Sequence, residues 1–338
     1  MSATIKDIAR EAGVSVSAVS LVLNNRPCRI TQDKKELIRE TAQRLNYAPN
    51  QAARSLVTKK TRTLALILPD IENPFFSSLA KRIEDCCQRD GYLLLIASSN
   101  DQFSSDCALL REITSHGVDG LFLIVSNESY QENTRLLEAL SRLPFPYIQV
   151  DRVYDNLVCD KVLFDNEQGA RIATRHLLEN GHTRIAYVAN TSANNGRARL
   201  AGYRAALEED GLPFDPALVA EGDYRFDSGY RAAKALLKTD ATAAFVSNDM
   251  MALGFLKYLY SQGLRVPKDF SLVSYDNSLS PFALGVELTS VAQDAQRLGE
   301  EACRLLTGRI KNKSAPPRTV CLEPELILRS SVKRLREH

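Results

Sequence analysis

Residues 4–24 read TIKDIAREAGVSVSAVSLVLN and contain the clearest secondary-structure signals at the start of the chain. Thr4 can cap a first helix, with Asp7 as its capping-box partner three positions later. The apolar residues that follow recur at helical spacing: Ile5, Ile8, Ala9 and Ala12. Gly13 ends that helix, and Ser15 can cap a second one. Helix, glycine turn and helix is the pattern of a helix-turn-helix motif.

The second helix has an apolar face and a face of small side chains. Its apolar positions are Val16, Val19, Val22 and Leu23, and its outer positions are Ser17, Ala18, Ser20 and Leu21. Small outer side chains suit a recognition helix, because short hydroxyl and methyl groups can meet base edges in the major groove. A third helix is predicted from Thr31 to a point before Tyr47. It closes a small core with Leu37, Ile38, Ala42 and Leu45.

The distribution of charge supports a DNA-binding role for this region. Residues 1–62 hold 12 Lys/Arg and 5 Asp/Glu, a net charge of +7, whereas the other 276 residues hold 31 and 36, a net of −5. A basic module on an acidic body is expected when that module alone attracts phosphates. Charge alone leaves a merely solvated basic face as the alternative. Charge and motif together predict a DNA-binding domain over residues 1–48.

A short segment after this domain can fold only with help. Asn50 can cap residues 51–56, which are too few to form a stable helix without a partner or DNA. The opening stretch, followed by LNYAPNQAARSL at residues 45–56, resembles the LacI/GalR (lactose repressor) family of transcription regulators, and weaker similarity extends over essentially the whole chain.

The resemblance implies how the N-terminal region meets DNA. The second helix enters the major groove, and residues 49–62 supply a hinge helix and linker that fold on the operator. Two hinge helices of a homodimer sit in the minor groove, where Leu56 wedges into the central base step. The residues expected to contact DNA are Thr4, Ser15, Val16, Ser17, Ser20, Leu21, Asn24, Tyr47, Asn50, Ala53, Arg54 and Leu56.

Leu21 departs from the family pattern. Relatives often have arginine or another polar residue at this position, which can read a base, whereas Leu21 can offer only an apolar contact, for instance to a thymine methyl group. The alternative is that Leu21 packs on the third helix. The operator sequence of a relative therefore cannot be transferred to this protein.

Beyond residue 62, strand-sized apolar runs alternate with helical stretches. The runs lie at residues 64–68, 92–97, 120–125, 147–150, 184–189, 243–246 and 271–275. This alternation predicts parallel sheets covered by helices, and a restart of the pattern after Asp165 predicts two lobes with a cleft between them.

The resemblance implies an α/β, periplasmic-binding-protein-like core over residues 63–332, whose chain crosses between the lobes three times. The expected N-lobe spans about 63–152 and 288–317, and the expected C-lobe spans about 153–287 and 318–332.

Polar residues follow several of these predicted strands. They are Asp70, Asp151, Arg199, Asn248, Asp249, Asp276 and Asn277. Ligands of such folds bind beyond the carboxyl ends of the strands, and carboxylates, amides and arginine suit the hydroxyls of a sugar.

The resemblance places Arg199, Asn248 and Asp276, and more weakly Asp151, at positions that contact effectors in sugar-responsive relatives. It places Phe75, Phe76 and Tyr224 where aromatic rings stack on or enclose the ligand. The alternatives are that Asn248 only caps a helix and that the two phenylalanines only cover the lobe core.

The sequence contains no motif of catalysis or nucleotide binding. GxGxxG, the Walker loop, GxSxG and HExxH are all missing, the four histidines are scattered, and the seven cysteines lack zinc-ligand spacing. We therefore expect no enzyme, no cofactor and no metal site. A solute-binding protein and an enzyme acting on a sugar or nucleotide are the rival functions.

The expected function is sequence-specific DNA binding by a repressor that a small molecule controls allosterically. The expected partners are a palindromic double-stranded operator, a sugar or sugar derivative, and a second copy of the chain. A nucleoside, a purine or a phosphorylated protein are alternative effectors, and induction and corepression both remain open. The N-terminus lacks a signal peptide and no apolar run is long enough to span a membrane, so we expect a cytoplasmic, nucleoid-associated protein. No leucine heptads follow Leu328, which favours a dimer over a tetramer.

Overall fold

A computed structural model describes residues 3–47 and 60–335, except 132, 281 and 283. Its chain divides into two compact units, residues 1–61 and residues 62–338. The expected hinge helix lies outside the described residues, and with it four of the expected DNA contacts: Asn50, Ala53, Arg54 and Leu56.

The first unit contains three helices, α1 (Ile5–Ala12), α2 (Val16–Leu23) and α3 (Gln32–Arg44). The backbone N–H and the hydroxyl of Thr4 donate to Asp7 Oδ2 over 3.0 and 2.7 Å. Gly13 ends α1 with φ +61°, a conformation that glycine adopts without a Cβ clash. Ser15 Oγ accepts from the N–H of Ala18 at 3.1 Å, which starts α2. The predicted motif and its caps are confirmed.

The three helices enclose a small apolar core. Its buried members are Ile8, Ala9, Ala12, Val19, Val22, Ile38 and Ala42. The prediction that Leu37 belongs to this core is wrong, since Leu37 is 39% exposed. Val16, an apolar position of the second helix and an expected DNA contact, is 40% exposed. Helices of two to four turns bury only the residues that point to the centre of the bundle, and these two lie at the edge of the apolar stripe.

The second unit alternates strands and helices throughout. Its strands are β1 (Thr63–Leu68), β2 (Leu93–Ser98), β3 (Gly120–Leu123), β4 (Tyr147–Val150), β5 (Asp160–Phe164), β6 (Ile185–Ala189), β7 (Val219–Glu221), β8 (Ala243–Val246), β9 (Ser271–Asp276), β10 (Thr289–Ala292), β11 (Thr319–Leu322) and β12 (Glu325–Ile327). Its α-helices are α4 (Pro74–Arg89), α5 (Phe103–His116), α6 (Thr134–Ser141), α7 (Asn166–Glu179), α8 (Asn194–Glu209), α9 (Phe226–Leu236), α10 (Asp249–Ser261) and α11 (Ala295–Lys311). Two 3₁₀ turns, Glu128–Tyr130 and Pro216–Leu218, complete it.

Two six-stranded sheets form two lobes. The N-lobe sheet has the order β11-β5-β4-β3-β1-β2, and the C-lobe sheet has the order β12-β10-β9-β8-β6-β7. All pairings are parallel except that of β10 with β12. Apolar clusters lie on both faces of each sheet, as expected when helices cover both faces of a parallel sheet. The two-lobed α/β fold is confirmed, and the chain crosses between the sheets three times.

The expected lobe boundaries are wrong in three places. Strands β5 and β11 pair with each other in the N-lobe sheet, and β10 pairs with β9 in the C-lobe sheet. The chain therefore crosses after β5, after β10 and after β11. Apolar content marks a strand, but it does not tell which of two sheets the strand joins, because that choice depends on pairing between distant residues.

No helix among the described residues has the length and apolar character needed to cross a bilayer.

Candidate functional site

The headpiece presents the first turn of α2 to solvent. Ser15 and Ser17 are exposed, and Ser20 and Leu21 are half-buried. Among the described residues, the headpiece core and the apolar side chains packed against it include neither Val16 nor Leu21. This helix therefore presents Val16 to solvent, and the contact of Leu21 with a thymine methyl group stays a prediction.

The other described DNA candidates lie around this helix. Thr4 is exposed at the start of α1, and Asn24 ends α2 with its amide donating to the carbonyl of Ser20 at 2.7 Å. Tyr47 differs, because it is half-buried against the headpiece core. Its ring is therefore partly a packing element.

The structure brings all seven predicted effector residues to one cavity between the lobes. They are Phe75, Phe76, Asp151, Arg199, Tyr224, Asn248 and Asp276. The carboxyl ends of the strands explain the convergence: Asp151 follows β4, Asn248 follows β8, and Asp276 ends β9. In open α/β sheets this edge is where ligands bind.

Three of these residues hold a backbone conformation that side chains rarely adopt. The φ angles are +60° for Asp151, +66° for Tyr224 and +95° for Asp276. Left-handed backbone at a non-glycine residue costs roughly 1–3 kcal/mol and persists where the surroundings impose it, as at binding sites. All three residues line the cavity.

Arg199 connects several residues on the C-lobe side of the cavity through hydrogen bonds. It lies in the second turn of α8, is 2% exposed, and rests 3.7 Å from the ring centroid of Tyr275. Its Nε donates to Asn166 Oδ1 at 2.8 Å, and its two other nitrogens donate to the Ser247 carbonyl and to Gln293 Oε1. The side chain therefore holds the site together as well as lining it.

Asn248 has a structural task in addition to lining the cavity. Its Oδ1 accepts from the N–H of Met251 at 2.9 Å and caps α10, while its Nδ2 donates to the carbonyl of Tyr224 at 3.0 Å. Phe75 and Phe76 likewise line the cavity and belong to the buried N-lobe core. For these three residues, both interpretations made from the sequence fit the geometry.

Burial and nearby charges set the electrostatics of the cavity. Burial raises the pKa of Asp276 well above its usual range, although Arg199 opposes the shift. Burial also raises the pKa of Asp151, against the effect of Arg152 and Arg199. Burial lowers the pKa of Arg199, but Tyr224 and other neighbours outweigh this and raise it overall. A fixed cation beside carboxyls that can hold a proton offers both donors and acceptors to hydroxyl groups.

Comparison with known proteins assigns the chain to a family. The family model "Bacterial regulatory proteins, lacI family" matches residues 4–50, and "Periplasmic binding protein-like domain" matches residues 174–332. Catabolite control protein A of Priestia megaterium is 35% identical over 98% of this chain and 100% of that protein. The chain belongs to the lacI family.

Two other relatives agree with this assignment. The HTH-type transcriptional repressor PurR of Vibrio campbellii is 34% identical over 98% of this chain and 99% of that protein. A solved structure described as the transcriptional regulator CelR in complex with cellobiose is 30% identical, with a TM-score of 0.73 over 97% of this chain and 99% of that one. This lacI-family chain is a DNA-binding transcription regulator and not an enzyme.

Sequence reasoning missed four residues that line the cavity of this lacI-family protein. They are Asn73, Arg152, Asn195 and Gln293. Arg152, Asn195 and Gln293 follow strands, so the rule that found the others could have found them. Gln293 links the lobes, because it accepts from Arg199 at 3.0 Å and its amide lies 3.5 Å from Asp151 Oδ1. In the described part of the chain, no group of three or more His, Cys, Asp or Glu side chains could hold a metal ion.

Proposed function

We propose that the protein is a homodimeric repressor that binds a palindromic operator and is controlled by a sugar or sugar derivative in the cleft. The observation that carries the proposal is one chain with two parts: a headpiece whose recognition helix has small outer side chains, and a cavity lined by carboxylates, amides, arginine and aromatic rings. The first part suits base edges and the second suits ring hydroxyls.

The names of the relatives support repression as the direction of regulation and a sugar as the class of effector. PurR of Vibrio campbellii is named a repressor, and the CelR structure is a complex with cellobiose. A two-fold dimer would present two headpieces about one DNA turn apart, which is the geometry of a palindromic site. We place the protein in the cytoplasm, on the nucleoid, where operator DNA lies.

The seven cleft residues and the headpiece residues take separate roles in this proposal. The cleft residues bind the effector, and α2 with Thr4, Asn24, Tyr47 and the hinge segment binds the operator. Effector binding changes the angle between the lobes and hence the distance between the two hinge segments. The effector induces if it prefers the state in which these segments cannot pair, and it corepresses if it prefers the state in which they pair.

Replacing Leu56 by alanine tests the hinge assignment. We expect Leu56→Ala to weaken specific operator binding roughly tenfold to a hundredfold and to reduce the DNA bend, because the wedge no longer offsets the cost of unstacking the central step. Effector affinity should stay the same. Bend angle is measured by fluorescence transfer across a labelled duplex, and a mutant that bends DNA as the wild type does removes Leu56 from this role.

Selection of random duplexes tests the whole proposal. The full-length protein is incubated with random DNA at two salt concentrations, and the bound fraction is sequenced. The selection is run with and without added cellobiose, and we expect a palindrome with a flexible central step under at least one of the two conditions. Recovery of DNA without sequence preference under every condition argues against a specific operator reader.

A further inference from the structure

Three cysteine side chains meet between helices α4 and α11 of the N-lobe. Cys86 and Cys87 belong to α4, Cys303 belongs to α11, and all three are buried in one apolar cluster. The Cys303 sulfur lies 3.8 Å from the carbonyl oxygen of Ile83 in α4. The neighbouring thiol of Cys87, together with burial and the thiol of Cys86, raises the pKa of the Cys303 thiol. The fold thus brings together thiols that lie far apart in the sequence.

The two helices run side by side and in register. Because α4 leads into β2 and α11 leads into β11, two strands of one parallel sheet, both helices run in the same direction. An added Cβ at Gly299 of α11 would lie 3.0 Å from the Cβ of Arg82 in α4. Cys303 and Cys86 each stand about one helical turn further along. A disulfide needs Cβ atoms roughly 3.5–4.5 Å apart, and this register places Cys86 opposite Cys303 where the helices are that close.

Cys86 also lines a cavity between the outer surfaces of the two helices. The cavity encloses about 360 Å³. Its other lining residues are Arg82, Asp85, Gln88, Arg89, Gln296 and Glu300. A molecule of hydrogen peroxide has only two heavy atoms and fits easily in this space. A small oxidant can therefore reach the sulfur of Cys86.

Arg89 makes Cys86 suited to reaction. Arg89 is the last residue of α4, it is exposed, and its Nη2 donates to Cys86 Sγ at 2.9 Å. The thiolate is the form of cysteine that attacks a peroxide, and a neighbouring guanidinium stabilises the thiolate. Cysteines that sense oxidants combine access for the oxidant with a second thiol that resolves the oxidised sulfur. Cys86 has the cation, the access and the second thiol.

We infer that Cys86 is a peroxide-sensitive modification site, that Arg89 stabilises its thiolate, and that Cys303 resolves the oxidised sulfur as a reversible disulfide. The Cys86 thiolate attacks one oxygen of hydrogen peroxide, the O–O bond breaks, and the Cys86 proton leaves with the other oxygen as water. The Cys303 sulfur then attacks the resulting sulfenic acid. The S–S bond forms, and the hydroxyl group leaves with the Cys303 proton as water.

The two thiols together lose two electrons, and these electrons reduce the peroxide. In a reducing compartment such a disulfide is transient, as expected of a bond that responds to oxidants. The modification requires neither operator nor effector, so its test is independent of the proposed function.

Mass spectrometry of the full-length protein treated with hydrogen peroxide tests the inference. We expect the wild type to lose two hydrogen atoms, to gain a cross-link between its tryptic peptides 83–89 and 298–304, and to recover its mass in dithiothreitol. The exposed Cys321 is an internal control for exposure alone. Burial and the carboxylates of Asp165 and Glu323 raise the pKa of Cys321, so this thiol should react more slowly.

Cys86→Ser and Cys87→Ser form a matched pair, because these neighbours share one helix and one tryptic peptide. Cys86→Ser should lose the cross-link, and Cys87→Ser should keep it. In Cys303→Ser, oxidation of Cys86 should stop at the sulfenic acid, which dimedone traps. Alanine replaces serine at any position where the serine variant loses its cooperative thermal transition.

Arg89→Gln tests the contribution of the cation. Oxidation of Cys86 should slow roughly tenfold, because the thiolate loses a charged hydrogen-bond donor. Arg82→Gln is its control, since Arg82 lines the same cavity but its Nη1 lies 3.8 Å from Asp85 Oδ2. The oxidation rate of this control should stay within about twofold of the wild-type rate, because the donor to Cys86 remains.

Three outcomes each overturn the inference. The first is a wild type that forms no cross-link, or that forms it through Cys87. The second is oxidation of Cys321 ahead of Cys86. The third is an equal rate of Cys86 oxidation in Arg89→Gln and Arg82→Gln.

Discussion

Replacing Arg199 by alanine is expected to lower the free energy of unfolding of the core unit by about 3–5 kcal/mol and to abolish the effector response. The side chain is 2% exposed, and its loss leaves acceptors on Asn166, Ser247 and Gln293 without their donor. The carboxyls of Asp151 and Asp276 also lose a nearby cation. Urea unfolding followed by circular dichroism measures the first effect, and operator titration with effector measures the second.

Arg204→Ala is the control for Arg199→Ala, because Arg204 is an exposed residue of α8, the helix that also contains Arg199. Its contact with Phe214 is worth roughly 0.5–1 kcal/mol, so the urea midpoint should move little. Operator affinity without effector should be similar in the wild type, Arg199→Ala and Arg204→Ala as long as each remains folded, since neither residue lies in the headpiece unit. A stable Arg199→Ala protein with a normal effector response contradicts the role assigned to Arg199.

Replacing Gly196 by alanine is expected to destabilise the core by about 3 kcal/mol or more. A Cβ at this position would lie 1.6 Å from the carbonyl oxygen of Asn190 and 2.9 Å from Tyr224 Oη. The first of these atoms is backbone and cannot move aside without shifting the loop that follows β6. Gly196 stands next to Asn195 at the cavity, so the substitution should disturb the site as well as the fold.

Gly308→Ala is expected to raise the free energy of unfolding in the same urea assay. Gly308 lies inside α11, and a Cβ there meets nothing within 4 Å in the described structure. Alanine should stabilise this helix by roughly 0.5–1 kcal/mol. Equal behaviour of the two alanine variants in urea unfolding would mean that close packing at Gly196 does not limit stability.

Most of the candidate site could be predicted from the sequence, because the site residues follow strands and ligands bind at the carboxyl ends of parallel strands. Asp151, Asn248 and Asp276 come directly after or at the end of strands, and parallel strands bring such residues to one edge. The headpiece was equally predictable, because Thr4, Asp7, Gly13 and Ser15 act through neighbours that are close in sequence. Local chemistry of this kind can be read without a structure.

What the sequence did not predict depends on distant contacts. The crossing points between the lobes are set by pairing of β5 with β11, whose residues are more than 150 positions apart. Arg152 stands beside Asp151 in the sequence, yet nothing local shows that its guanidinium lies between rings of both lobes. Gln293 likewise contacts Asp151 and Arg199, which lie far from it in the sequence, so nothing local predicts these contacts.

Coupling between the cleft and the operator within one chain is tested by the operator Kd. This Kd is measured with and without a sugar that a thermal-shift panel, including cellobiose, shows to bind the protein. We expect the sugar to change the operator Kd of the wild type roughly 5- to 150-fold, the usual range of allosteric coupling. In Asp276→Asn, which keeps the shape of this cavity residue but replaces its carboxyl by an amide, the change should be lost while the operator Kd without sugar remains. A bound sugar that leaves the wild-type Kd unchanged, or shifts it equally in both proteins, would show that the cleft does not control operator binding.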